Sequence, residues 1–378
     1  MSLFTPPFCP YAACSNHQNP VGRWWSRNGF HVTKAFGIVR RFVCTQCGKS
    51  FSVQTFSVQY YAKRRIDLVE LERLSCSSMS LRALSRHLGC TCDTVQNRID
   101  RLSRQGVALH AALRNMVDPH EYVCFDGFVS FDRSQYFPND IGISITSGSR
   151  FVLGLTHATT RRAGAMREEQ KERRDRLYQG LVFERKAIER SFTQHLDRLA
   201  RERPPEPRRP LVVITDEKVE YGRAFERHAL FVDQDEDHRA VHATVSSKQP
   251  RTVWNPLFAS NYIDREIRKD RADQRRETTC FARDGANGMA RLSVYAVYHN
   301  YAKRFLIKAH KGEDRTHAEV AGVTRAAIGK GRKAFFGIRA FLTRLNLDGM
   351  DEAIWKKAIY RPERGRVEGG RLPRFAFA

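Results

Sequence analysis

Acidic residues are in short supply in this chain. Across 378 residues, 41 Asp and Glu face 65 Lys and Arg, a formal charge of +24. An enzyme acting on small neutral substrates has little use for such a field, whereas a polyanion binder does. Long hydrophobic runs are missing too, and no apolar stretch approaches the roughly 18 residues of a membrane helix. No amphipathic or lipidated anchor stands out that would turn the charge toward a membrane surface. The opening MSLFTPPFCPYAAC is too short and too Pro-rich for a signal peptide. The expectation is a cytoplasmic chain whose nine cysteines are reduced or metal-bound, not disulfide-bonded. Its 41% hydrophobic and 28% charged residues are a globular composition, with length enough for two or three domains.

Four of the cysteines fall into two pairs. Cys9 and Cys14 form a C-x4-C unit, and Cys44 and Cys47 form a C-x2-C unit after 29 intervening residues. A tight turn aims both of its sulfurs at one point, so two such knuckles suit a tetrahedral zinc. Gly48 follows the second knuckle, where a positive φ is often needed. The segment between the pairs, RNGFHVTKAFGIVRRFVC, alternates in patches and predicts hairpin strands. His17 is an alternative ligand, with a surface position the expected one. Cys76, Cys90, Cys92, Cys124 and Cys280 lack this spacing and read as core thiols.

Next comes a helical region. KRRIDLVELERLS, residues 63–75, fits an amphipathic helix. SMSLRALSRHLGCTCDTVQNRIDRLSRQG then predicts two short helices joined at Gly89. Ser80 caps the first, and Asp93 with Gln96 forms a variant capping box on the second. With Val95, Ile99 and Leu102 turned inward, Thr94, Gln96, Asn97, Arg98 and Arg101 are expected in solvent. That arrangement suits a helix-turn-helix reading the major groove, Gln and Asn pairing with adenine and Arg with guanine. A generic helical hairpin is the alternative.

The other two-thirds of the chain mixes strands and helices. EYVCFDGFVSF, DIGISIT and RFVLGLTHA predict a three-stranded antiparallel start. Residues 161–210 are highly charged and read as a helical excursion ended by a Pro-rich linker. RPLVVITDEK and AVHATVSS resume the sheet, and helices dominate thereafter, giving an α/β or α+β layer. Asp126 and Asp216 each follow an apolar strand. A carboxylate leaving an apolar core must be offset by a metal, a partner charge or a hydrogen bond. Two of them on neighbouring strands, with a third from a helix, would cage two Mg²⁺ or Mn²⁺ ions. Each is also compatible with an ordinary turn or cap, and Asp132 is a rival to Asp126.

This order of parts resembles the bacterial insertion-sequence transposases that carry a ribonuclease-H-like DDE domain. The phrases carrying the resemblance are FVCTQCGKSFS, SLRALSRHLGCTCDTVQNRI, CFDGF, VVITDEK, NYIDREIRKDRADQRRETTCFAR and VYHNY, spread over residues 9–305. It implies an α/β chain with a zinc ribbon at 1–60 and a helix-turn-helix at 61–108. A catalytic domain at 118–310 would carry the charged insertion at 161–210, and a helical extension would fill 311–378. It implies DNA cleavage at element ends and strand transfer into a target, with Asp126 and Asp216 as the first two magnesium ligands. Double-stranded DNA would be the partner, the oligomer a dimer or larger, and the location the nucleoid.

At the third acid the chain departs from the family. A phrase like VER is usual, and IDR stands here, placing Asp264 at that position. Glu266 offers the usual residue type two positions later, and Glu277 in RRET is more remote. Asp264 and Glu266 are about 200° apart on a helix, so the two hardly serve one site. Asp264 preserves the motif order. Arg276, His299 and Lys303, in the late block, are candidates for holding scissile phosphates. Two rival functions remain open, a sequence-specific DNA-binding regulator and a structure-selective nuclease of the same fold.

Overall fold

A small antiparallel sheet opens the chain. After the one-turn helix α1 (Ser15–Gln18) come β1 (Trp25–Thr33), β2 (Gly37–Cys44) and β3 (Ser50–Ser52), paired in that order. Trp24, Phe42, Phe51 and Phe56 form its aromatic core, which Phe341 completes from the far end of the chain. The computed structural model describes residues 4–232, 234–235, 238–275, 278–307, 314–366, 372 and 376–377.

Three helices follow: α2 (Leu68–Ser75), α3 (Leu81–His87) and α4 (Cys92–Arg114). Asp67 caps α2, and Ser80 caps α3 through the Ala83 amide. Gly89, at φ +58°, turns the chain between α3 and α4. The second helix of the pair differs from its expected form. Its cap is Thr91, not Asp93, and it runs for 23 residues. The reason is that the apolar stripe Val95, Ile99, Leu102 continues through Leu109 and Leu113 without a breaker. Gly106 lies in the same helix, and a Cβ there would sit 3.0 Å from Val297. That closeness lets α4 run against the later helix at Gly285–Tyr301.

The main sheet has six strands among the described residues. β4 (Val123–Phe131), β5 (Pro138–Thr146) and β6 (Val152–Leu155) pair antiparallel, and the short β7 (Ala158–Thr159) adds to β5. β8 (Val212–Asp216) joins the other side of β4 in parallel, and β9 (Val241–Val245) lies parallel beyond it. The resulting order is β6-β5-β4-β8-β9. Every residue of β5 is buried, as expected for a strand covered on both faces.

The charged stretch 161–210 splits in two. α5 (Glu168–Tyr178) has no buried residue. α6 (Ala187–Glu202) is no excursion: Phe192, Leu196 and Leu199 are core, and its His195 bonds Ser144 and Thr156 of the sheet region. Its apolar residues share one face, and even Arg198 is buried, paired with Asp348 and Asp351, so composition alone hides its role. α7 (Val219–Glu226) and α8 (Ala229–Val232) fill the crossover to β9, and α9 (Phe258–Asp270) then packs against β4 and β5. α10 (Gly285–Tyr301) is buried along nearly its whole length, with Leu292 and Tyr295 in the core. α11 (His317–Val320), α12 (Arg325–Gly337), α13 (Gly349–Trp355) and the hairpin β10 (Tyr360–Arg361) and β11 (Gly365–Arg366) complete the chain. One hydrophobic cluster runs from Val58 to Ile359 and joins α4, the sheet, α10 and α12. No described helix is long and apolar enough to cross a membrane.

Candidate carboxylate site and cysteine cluster

Cys9, Cys14, Cys44 and Cys47 converge, their sulfurs all within 4.8 Å of one another. Cys9 to Cys47 and Cys14 to Cys44 are each 3.8 Å. Zinc–sulfur bonds of about 2.3 Å in a tetrahedron put sulfurs about 3.8 Å apart, so the four thiols fit a structural zinc. The second knuckle closes as expected, the Gly48 amide donating to Cys44 O at 2.9 Å with φ at +68°. Burial works against ionisation of Cys44, but the backbone amides of Cys47 and Gln46 outweigh it and bring the thiol down to about 7. His17 is not at the surface. It is fully buried, with Nδ1 on Cys9 O and Nε2 on Thr343 Oγ1, both at 2.7 Å, so it supports the first knuckle from behind.

The second site lies on the main sheet. Val123 pairs with Val213 and Cys124 with Ile214 across the parallel β4–β8 edge. Two residues further along that register, Asp126 comes opposite Asp216, on strands about 4.8 Å apart. Both side chains leave the same face of the sheet because the strand period is two. Both are half-buried. The Asp126 carboxylate accepts the Gly127 amide at 2.7 Å, and Asp216 accepts the Lys218 amide at 3.1 Å. Burial, then the neighbouring Asp216, pushes the Asp126 carboxyl up to about 6.

Helix α9 brings Asp264 to the same place. Burial, then the charge of Asp126, pushes its carboxyl up to about 7. Glu266 goes elsewhere. Its carboxylate binds Lys269 Nζ at 2.7 Å and also Lys303, and these ammonium groups hold it below the ordinary range despite burial.

A fourth acid was not foreseen from the sequence. Asp140 on β5 is buried and held by Lys218 Nζ at 3.1 Å, while Lys218 also reaches Tyr221 OH at 3.1 Å. Gly127 makes room for it, since a Cβ there would overlap both Asp140 carboxylate oxygens. The signal was present in PNDIGISIT, where an acid interrupts an otherwise apolar strand. Asp132 stands six residues past Asp126, bonded to Asn139 Nδ2 at 2.7 Å, with burial pushing it up to about 6.

Among the described residues, only the four cysteines bring three or more ligand atoms within 4.8 Å. The carboxylates are more widely set. A pair of ions about 3.5–4 Å apart has ligands on both sides, so such a site is wider than a single-ion cage. Asp126, Asp216 and Asp264 share one region of the sheet and α9 without converging as closely as the cysteines do.

Chain comparison adds no identity. The chain matches no known family model and no curated protein.

Several residues expected at a DNA surface are occupied inside the fold. Arg98 and Arg101 are buried, not solvent-facing. Both donate to Asn97 Oδ1, at 2.7 and 3.0 Å, and Arg101 also donates to Val58 O at 3.0 Å and stacks over Tyr60. Gln96 accepts from Arg291 and donates to Asp100, and the Thr94 hydroxyl bonds that of Thr91. Arg98 and Arg101 are therefore turned inward, whereas Thr94, Gln96 and Asn97 are half-buried. His299 is fully buried, on Arg150 O at 2.9 Å and stacked on His317, so it is no phosphate contact. Lys303 is committed to Glu266 and Asp270. Arg276 and Glu277 lie outside the described residues.

Proposed function

We propose that this chain is a DDE-type transposase, which cleaves DNA at the ends of an insertion sequence and joins those ends to a target. The carrying observation is the pair Asp126 and Asp216 side by side on parallel neighbouring strands, with Asp264 presented by α9. Three features support the reading. The sheet order, third-second-first-fourth-fifth with the second strand reversed, is compatible with the ribonuclease-H-like domain of this reading, and Asp126 and Asp216 lie on its central strands. The charge of +24 suits a polyanionic substrate. The cysteine cluster, which could hold a structural zinc, fits the small amino-terminal module of this reading.

In this reading Asp126, Asp216 and Asp264 hold two Mg²⁺ or Mn²⁺ ions. When bound, such ions activate a water or a 3′-hydroxyl and neutralise the leaving oxygen of a phosphodiester. The protein's part is placement. β4 and β8 fix two carboxylates through a backbone ladder, and α9 fixes the third against that sheet. Burial, then mutual repulsion, raises Asp126 and Asp264, so a cation bound between them would compete with protons and relieve that repulsion. Lys218, anchored on Asp140, keeps a positive charge beside the cluster. Double-stranded DNA, both element ends and target, is the substrate, and joining two ends calls for at least two copies of the chain.

The test is cleavage and joining of a DNA carrying the inverted repeats that flank the gene, in Mg²⁺, by wild type and by Asp126→Asn. The expected result is cutting and joining by wild type only. Cutting without joining would leave a structure-selective nuclease, and equal activity in both proteins would remove the carboxylate mechanism.

A further inference from the structure

The first 66 residues contain no Asp or Glu, yet they carry nine Lys and Arg. The first acid in the chain is Asp67, at the cap of α2. No described Lys or Arg of this segment forms an ion pair with a carboxylate. A folded module of one sign has no internal partner for its charge, and the repulsion is relieved when a polyanion lies against it.

The module also has a shape for such a partner. β3 pairs with β2 only at Arg41, Phe42 and Val43. The hairpin beyond that point, Phe30–Thr33 against Gly37–Arg40, is a bare two-stranded ribbon projecting past the small sheet. Its two faces differ. Val39 and His31 turn toward the body of the module, Val39 buried and His31 lining a cavity with Arg41, Gln54 and Tyr60. Phe30, Val32, Ile38 and Arg40 share the other face, because Phe30 pairs with Arg40 and Val32 with Ile38. That face is open: Phe30 is 58%, Val32 80% and Ile38 73% exposed. Arg40 lies over the Phe30 ring at 4.9 Å, and Lys34 stands at the tip.

We propose that this ribbon lays its outer face in a groove of duplex DNA, Val32 and Ile38 against base edges and Arg40 and Lys34 against the flanking phosphates. The inference rests on the DNA-acting reading above and deepens it, moving base contact from α4 to the cysteine-held ribbon. A two-stranded ribbon fits a major groove about 12 Å wide, and branched apolar side chains discriminate the thymine methyl group there. Exposed apolar side chains alone would equally suit a second copy of this chain, but an acid-free surface repels its own copy and attracts phosphate.

The experiment uses the full chain and a library of randomised 40-bp duplexes, selected by binding and then sequenced. Wild type is expected to enrich a motif. Val32→Ser/Ile38→Ser keeps the charge and is expected to lose about tenfold or more of that preference while its affinity for unselected duplex changes less than about twofold. Arg40→Ala is expected to lower the slope of log affinity against log salt by about one unit, the loss of one phosphate contact. Bound zinc is measured in each variant, and unchanged content shows that the module is folded. A photo-crosslinking residue in place of Ile38 is expected to trap DNA, in the Asp126→Asn background too, so that failure of the cleavage chemistry stays separate from failure of this surface. Retained motif enrichment by the double variant, or crosslinking of position 38 to a second chain in place of DNA, overturns the proposal.

Discussion

Asp126 on β4 raises the carboxyl of Asp264 on α9, adding to the effect of burial and bringing it to about 7. Glu266, one-half turn further along the same helix, is instead held by Lys303 and Lys269. One helix thus divides its acids between two environments, one poor in counter-charge and one rich in it. The second has its cations in Lys269 and Lys303, whereas the first faces another carboxylate.

That division ranks the third ligand. Asp264→Asn is expected to abolish cleavage while leaving DNA binding near wild type. Glu266→Gln is expected to keep cleavage but lose stability, by about 1–3 kcal/mol, because the half-buried Lys303 loses its carboxylate partner, the exposed Lys269 adding little. Parallel cleavage assays and melting curves check both, and an inactive Glu266→Gln beside an active Asp264→Asn would reverse the assignment.

The pH dependence follows from the same acids. Their folded pKa values, about 6 for Asp126 and about 7 for Asp264, exceed the ordinary carboxylate value of 3.8. A raised pKa means that the folded state binds the proton more tightly, so this contribution is complete below about pH 4 and is lost as pH rises through 6 to 7. Each tenfold gain in proton affinity on folding corresponds to about 1.4 kcal/mol, so on the order of a few kcal/mol is at stake. Without divalent cations, Asp126→Asn is expected to melt higher than wild type at pH 8 and near it at pH 4. Mg²⁺ should raise the wild-type melting temperature at pH 8 and leave that of Asp126→Asn almost unmoved.

Zinc content tests the cysteine cluster. The purified chain is expected to hold about one tightly bound zinc, and Cys44→Ser to lose it. Because Phe341 packs into the ribbon's aromatic core, that loss should loosen the C-terminal region as well. Protease sensitivity near Phe341 reports it.

Arg101→Ala separates structure from recognition on α4. Its guanidinium bonds Asn97 Oδ1 and the Val58 and Tyr60 carbonyls in a buried setting. The substitution is expected to cost about 2–4 kcal/mol of stability and to leave sequence preference on DNA unaltered. A loss of preference without a loss of stability would restore α4 as the reading helix.

Gly127→Ala examines the fourth acid. The added methyl would meet an Asp140 carboxylate pinned by Lys218, so it cannot be accommodated by a simple side-chain swing. A drop of about 1–3 kcal/mol in stability with reduced cleavage is the expected outcome, measured by denaturation and cleavage of the same preparation.

Local pattern by itself determined much of this protein. The two cysteine knuckles were legible from spacing, because a short turn constrains sulfur positions whatever surrounds it. The strands bearing Asp126 and Asp216 were legible from apolar runs ending in an acid. The Ser80 cap and the turn at Gly89 were legible too, since those signals act over a few residues. Only the tertiary structure decided where the polar residues go. Periodicity shows that α4 has an apolar stripe, but not that a second layer covers its other side, where Arg291 reaches Gln96 and the Val58 carbonyl reaches Arg101. The same holds for α6, which looks too charged for a core yet buries Phe192 and Leu196. It holds again for Asp264 and Glu266, whose difference lies in the positions of Asp126 and Lys303, residues distant from them in sequence. A side chain's preference for water is a local property, but whether water is replaced by a guanidinium, a carboxylate or a carbonyl depends on which segments the fold brings alongside it.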